Sequence, residues 1–192
     1  MNDPLSVFNQ WFAEAGAAGL QEPEAMHLAT VRPDGRPAGR VVLLKDWDAE
    51  GFTFYTNYTS AKADELAVNP FAALTLHWAP MQRQIRIEGV VRKVARATSE
   101  AYFATRPRLS QVGAWASRQS RPLEGPLKLE REVMKAGARF LGREVPCPPF
   151  WGGYKVFAET IEFWEGKPFR RHHRYRREKK ADGSWETTWL FP

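Results

Sequence analysis

The chain has 192 residues, 28 of them Lys or Arg and 22 Asp or Glu, for a formal net charge of +6. That length suits one domain, residues 1–192, with a sizeable core, and eight Trp and twelve Phe exclude disorder as the default reading. No signal-peptide pattern or membrane-length apolar run is present, and the single Cys147 excludes a disulfide framework, so the cytoplasm is the expected compartment and no membrane is expected as a partner.

Asn2-Asp3-Pro4 reads as an N-cap and a first-turn proline, and Leu5, Phe8, Phe12 and Ala15 then recur at helical spacing. From Met26 the period changes to two. Strands are predicted over Met26–Val31, Ala38–Lys45, Phe52–Asn57, Phe71–Trp78 and Gln82–Val94, with turn signals between them. Ser60 is placed to cap a helix ending near Asn69-Pro70. Helical runs follow around Ser99–Thr105, from Leu109, and from Pro126 to Phe140. Trp151-Gly152-Gly153 leads into a strand over Tyr154–Trp164, and a last hairpin pairs His172–Arg177 with Trp185–Leu190. Many antiparallel strands with inserted helices predict a mainly β fold, a small barrel with peripheral helices.

The basic excess is local. Residues 167–180 hold eight Lys or Arg against one acid, leaving 20 basic and 21 acidic residues elsewhere, so no nucleic-acid partner is expected. Metal chemistry is not expected either, because His27, His77, His172 and His173 have no ligand-like spacing.

Several constellations could carry chemistry. Arg106, Arg108, Arg118, Ser110, Ser117, Ser120, Gln111 and Gln119 surround the apolar Val112-Gly113-Ala114-Trp115, as in a cradle for phosphate or the polar rim of a heterocycle. Arg40 and Lys45 bracket one strand and face opposite sides unless a bulge intervenes. Lys62 lies beside a helix start, where free amides favour anions. Gln84, Arg86 and Glu88 share one strand face, and a Gln side chain can read the edge of a flavin, although a solvated polar face would look the same. Tyr102 and Arg106, four apart on a helix that Pro107 ends, could converge with Ser110 into a phosphate clamp. Arg170, His172 and Arg174 would share a face of the last hairpin.

The order of RVVLLK, FYTN, RQIRIEG, YFATRPRLSQVGAWASRQS, PPFWGGY, IEFWEG and RRHHR resembles the pyridoxamine 5′-phosphate oxidase family over roughly Met26 to Arg174. The resemblance implies an FMN-binding split β-barrel with a family-like C-terminal segment over about residues 150–192, working as a homodimer with FMN at the interface. It implies FMN contacts from Arg40, Val41, Lys45, Tyr55, Thr56, Lys62, Gln84, Gln119, Ser120, Trp164 and Arg174. Lys45, Tyr102, Arg106 and Ser110 would clamp the substrate phosphate, and Arg170 and His172 would act over its ring as the catalytic pair. The implied reaction is oxidation of pyridoxamine or pyridoxine 5′-phosphate by O2 to pyridoxal 5′-phosphate with release of H2O2. Another ring substrate, as in phenazine-type oxidases, or a non-catalytic flavin carrier are the alternatives. Against the family pattern, the chain has no N-terminal Arg/Tyr arm, Ala61 stands for a second basic phosphate ligand, His173 for an acid, and Trp189 for an Arg.

Overall fold

The computed structural model describes residues 3–192, so the Asn2 half of the expected cap lies outside the described residues. Helix α1 spans Pro4–Ala17, with Pro4 in its first turn and Asp3 at the N-cap position, making no side-chain cap bond. Its apolar stripe buries Phe8, Trp11 and Ala15, and Phe8 packs edge-on to Phe52 at 4.9 Å between ring centroids.

The strands are β1 (Ala25–Val31), β2 (Pro37–Trp47), β3 (Gly51–Asn57), β4 (Phe71–Trp78), β5 (Arg83–Lys93), β6 (Trp151–Glu165), β7 (His173–Lys179) and β8 (Trp185–Trp189). They form one antiparallel sheet in the order β3-β2-β1-β4-β5-β6-β7-β8, and β3 also pairs with β6. That extra pairing closes β3-β2-β1-β4-β5-β6 into a six-stranded split barrel, with β7 and β8 as a hairpin beyond it.

Strand β6 does two jobs along its length. Residues Trp151 to Phe157 zip onto β3, and Thr160 to Glu165 pair with β7. The change of partner coincides with an irregularity opposite Glu88 and Gly89 of β5. Inside the barrel, Leu28, Leu74, Leu76, Ile85, Ile87, Val156 and Phe163 are fully buried. Alternation on β5 sends Ile85 and Ile87 inward and Gln84, Arg86 and Glu88 outward, as the period-two pattern predicts.

Helix α2 (Ala61–Val68) sits between β3 and β4, and α3 (Arg96–Thr105), α4 (Arg108–Ala116) and α5 (Pro126–Arg139) lie between β5 and β6. Ser60 occupies the N-cap of α2, but its hydroxyl donates to the carbonyl of Asn57 at 2.7 Å and does not cap the helix. Phe103, Val112, Phe140, Val145 and Trp151 build a second, smaller core under these helices.

The hairpin differs from expectation at its start. Strand β7 begins at His173, and Arg170 ends a short turn, Pro168–Arg170, with a left-handed φ of 58°. Arg170 therefore does not share a strand face with His172 and Arg174.

Candidate functional site

A cavity of about 920 Å³ opens where β2, β3, α3 and α4 meet. Its lining includes Arg40, Val41, Lys45, Tyr55, Thr56, Lys62, Tyr102, Arg106, Ser110, Gln119 and Ser120, which are eleven of the residues singled out from sequence. Arg40 and Lys45 reach the same cavity despite their odd spacing, because the β2–β3 register shifts between Leu44 and Asp46. The extra residue of that bulge is Lys45, whose ammonium lies 3.5 Å from the Glu24 carboxylate.

In the cavity lining, Lys62 is 7% exposed. Its ammonium donates to Gln119 Oε1 at 2.8 Å, Thr56 Oγ1 at 3.1 Å and Ser60 Oγ at 3.3 Å, all neutral oxygens. Burial first, then the repulsion of Arg40, lowers its pKa to about 8. Arg40 is itself tied down, donating to Thr30 Oγ1 and pairing at 2.7 Å with the buried carboxylate of Glu65 on α2. Sequence reasoning missed Glu65, and its signal was an acid three residues after Lys62 on the inward side of a short helix.

Arg106, also in the lining, caps α3 in extended conformation, as the proline after it requires. It has left the helix, so the cavity, and not an i,i+4 helical face, brings it together with Tyr102 and Ser110. Nη1 of Arg106 is buried without a hydrogen-bond partner, and burial lowers the pKa of the guanidinium. A buried donor left unmatched is costly, about 1–3 kcal/mol, unless something else accepts from it. Tyr55, Tyr102 and Trp151 form the adjoining wall with near-parallel rings, Tyr55 and Tyr102 being 4.0 Å apart at 17°.

The cradle read in residues 106–120 is only partly a cradle. Arg108 donates to the carbonyls of Phe140 and Arg143, Gln111 to that of Phe103, and Trp115 to that of Pro146. These three brace helices and loops, while Ser110, Ser117, Gln119 and Ser120 face the cavity.

The remaining predicted residues are elsewhere in this chain. Gln84 lies opposite Trp164 across β5–β6, and Trp164 opposite Arg174 across β6–β7. Arg174 is held by two contacts to the Glu162 carboxylate, at 2.9 and 3.0 Å, a partner whose signal was its outward register between Ile161 and Phe163. His172 packs on Trp164 at 4.7 Å, and its Nδ1 accepts from the Lys167 amide at 3.1 Å. Tyr55 pairs with Gly153, eleven residues before Trp164 on β6, a contour of about 35 Å at ~3.3 Å per residue. None of Gln84, Trp164, Arg170, His172 and Arg174 lines the cavity. Among the described residues no group of three His, Cys, Asp or Glu could hold a metal ion.

Comparison with known proteins gives the family and the fold. Residues 12–138 match the family described as pyridoxamine 5′-phosphate oxidase, and residues 151–192 match the pyridoxine 5′-phosphate oxidase C-terminal dimerisation region. The chain is 52% identical over 190 residues to a pyridoxine/pyridoxamine 5′-phosphate oxidase of Rubrobacter xylanophilus, covering 99% of this chain and 87% of that protein. The crystal structure of PhzG from Burkholderia lata, in complex with tetrahydrophenazine-1-carboxylic acid, is similar with a TM-score of 0.94 at 31% identity, covering 100% of this chain and 94% of that one. A pyridoxamine 5′-phosphate oxidase-related, FMN binding protein from Nostoc punctiforme shares the fold, with a TM-score of 0.79 at 16% identity and coverage of 100% and 98%.

Proposed function

The chain belongs to the pyridoxamine 5′-phosphate oxidase family, and from that premise we propose that it oxidises pyridoxine 5′-phosphate with O2 to pyridoxal 5′-phosphate and H2O2, and pyridoxamine 5′-phosphate with O2 and water to the same products plus ammonia, using FMN. The observation that carries this reading is a pair of under-matched cations, Lys62 and Arg106, lining one cavity. Lys62 has only neutral partners, and Arg106 has a buried N–H with none. Two phosphate-bearing molecules lying side by side, a cofactor and a substrate, would satisfy both.

The side chains present fit FMN. Lys62, Thr56, Gln119 and Ser120 would receive its phosphate, with Arg40 behind them. Bound there, FMN supplies the two-electron couple that links oxidation at the substrate's C4′ to reduction of O2. Lys45, Tyr102, Arg106 and Ser110 would hold the substrate phosphate, a charge-assisted contact of about 1.5–3 kcal/mol for the guanidinium. The aromatic wall excludes water from that contact and so strengthens it.

Gln84, Trp164 and Arg174 sit at the far end of β6 and would complete the site of a second copy. That reading accounts for the match of residues 151–192 to a dimerisation region. A homodimer with FMN at the interface follows, Arg170 and His172 reaching the partner's substrate as orienting and polarising groups. His172 is pre-set for this: its Nδ1 accepts from a backbone amide, so in the neutral ring Nε2 carries the hydrogen and donates.

The similarity to PhzG favours one other reading, an oxidase of an unphosphorylated ring. A ring carboxylate, as in the PhzG ligand, would also accept from Arg106, so the substrate itself separates the two readings. The test is an anaerobic mix of FMN-loaded protein with pyridoxine 5′-phosphate, followed by flavin absorbance. Bleaching that recovers in air supports the proposal. Flavin that stays oxidised with both the alcohol and the amine overturns it in favour of a different ring.

A further inference from the structure

The reading above uses Trp151 only as part of the aromatic wall, yet it lines the cavity at 6% exposure and packs against Arg106 itself. Among the described residues Arg106 has no carboxylate partner, and its buried Nη1 has no hydrogen-bond partner. What holds it is aromatic: its guanidinium carbon lies 4.8 Å from the Trp151 ring centroid and 5.6 Å from that of Phe103. Both lie within cation–π range.

The kind of partner matters. A carboxylate would neutralise Arg106 and occupy the edge of its fork. An arene takes the flat face and leaves the N–H edge and the charge free for a bidentate anion. Trp151 also lies parallel to Tyr102, 6.2 Å away at 7°, and to Tyr55, 5.4 Å away at 11°. Two of the four proposed clamp residues therefore rest on one aromatic layer.

Gly153 makes that layer possible, and Gly152 lets β6 seat against Ser99 of α3. A Cβ on Gly153 would fall 2.9 Å from Cε1 of Tyr55, and one on Gly152 would fall 2.7 Å from Oγ of Ser99. Tyr55 can press against β6, and so against Trp151, only because no side chain stands there.

We propose that Trp151 is a positioning residue for the substrate phosphate, holding Arg106 by its face so that its N–H edge stays unpaired until substrate arrives. The proposal rests on the phosphorylated-substrate reading above.

The test uses FMN-loaded protein and pyridoxine 5′-phosphate. Replacing Trp151→Leu is expected to raise KM about 5- to 30-fold, the worth of a desolvated cation–π contact, with kcat and FMN affinity close to unchanged. Trp151→Phe, which keeps an arene, is expected to raise KM less. Arg106→Ala is the partner variant: once Arg106 is gone, adding Trp151→Leu should raise KM no further, because both act through one contact. A KM rise that multiplies fully with that of Arg106→Ala overturns the proposal, as does a kcat loss with KM unchanged. If Trp151→Leu loses flavin or fails to fold, the same cycle is run with Trp151→Phe and read by the same criterion. Failure of the wild-type protein to oxidise pyridoxine 5′-phosphate would instead refute the substrate reading, and binding of inorganic phosphate by titration calorimetry, weakened alike in Arg106→Ala and Trp151→Leu, would still report on the clamp.

Discussion

Lys62 offers the sharpest quantitative test, because its charge is buried against neutral oxygens. With a pKa of about 8 in the flavin-free fold and 10.5 as the ordinary value, the unfolded chain binds more protons between those limits. Stability must therefore rise with pH across that window. Integrating between pH 7 and pH 10 gives about 2–3 kcal/mol from this one group. Tyr and other Lys residues titrate in the same range, so the quantity to measure is the difference between wild type and Lys62→Met. Urea unfolding of both flavin-free proteins, at matched concentration, should show the wild type gaining about 2–3 kcal/mol on the variant from pH 7 to pH 10. In the same variant FMN should bind about 10- to 150-fold more weakly, for loss of a charge-assisted hydrogen bond. A stability difference that is flat in pH would refute the argument that burial depresses Lys62.

Gly153→Ala is expected to destabilise the fold by about 1–3 kcal/mol, because the added Cβ would meet Val94 Cγ2 at 2.8 Å and the Tyr55 ring at 2.9 Å; thermal unfolding checks it. The two-copy site predicts complementation: Lys62→Met and Trp164→Ala should each bind FMN poorly as homodimers. Mixed and reassembled, they should regain a tight-binding fraction, measured by flavin titration, since one site in each mixed dimer carries both changes and the other carries neither.

Much of the fold was legible from local signals. Strand Phe71–Trp78 has its predicted limits, and the inward Ile85 and Ile87 follow from alternation alone. Strand ends moved by a few residues where pairing, not propensity, decided them. Trp151 to Gly153 join β6 because β3 lies opposite, although two consecutive glycines argue against a strand. The left-handed backbone at Phe169 and Arg170, which takes Arg170 off the strand, has no sequence signature, since neither residue favours that conformation.

Residue types and their periods were enough to set the class of fold, the candidate list and the local character of the basic charge, because each depends on neighbours a few positions away. Three things needed the tertiary structure. The bulge at Lys45 turns two opposed cations into one cavity's walls. The burial of Glu65 and Glu162 shows which arginines are already paired. The aromatic layer under Arg106 holds its guanidinium while Nη1 finds no hydrogen-bond partner among the described residues. Each depends on contacts between segments dozens of residues apart, and a spacing along the chain carries no record of which distant side chain will be there to accept a hydrogen bond.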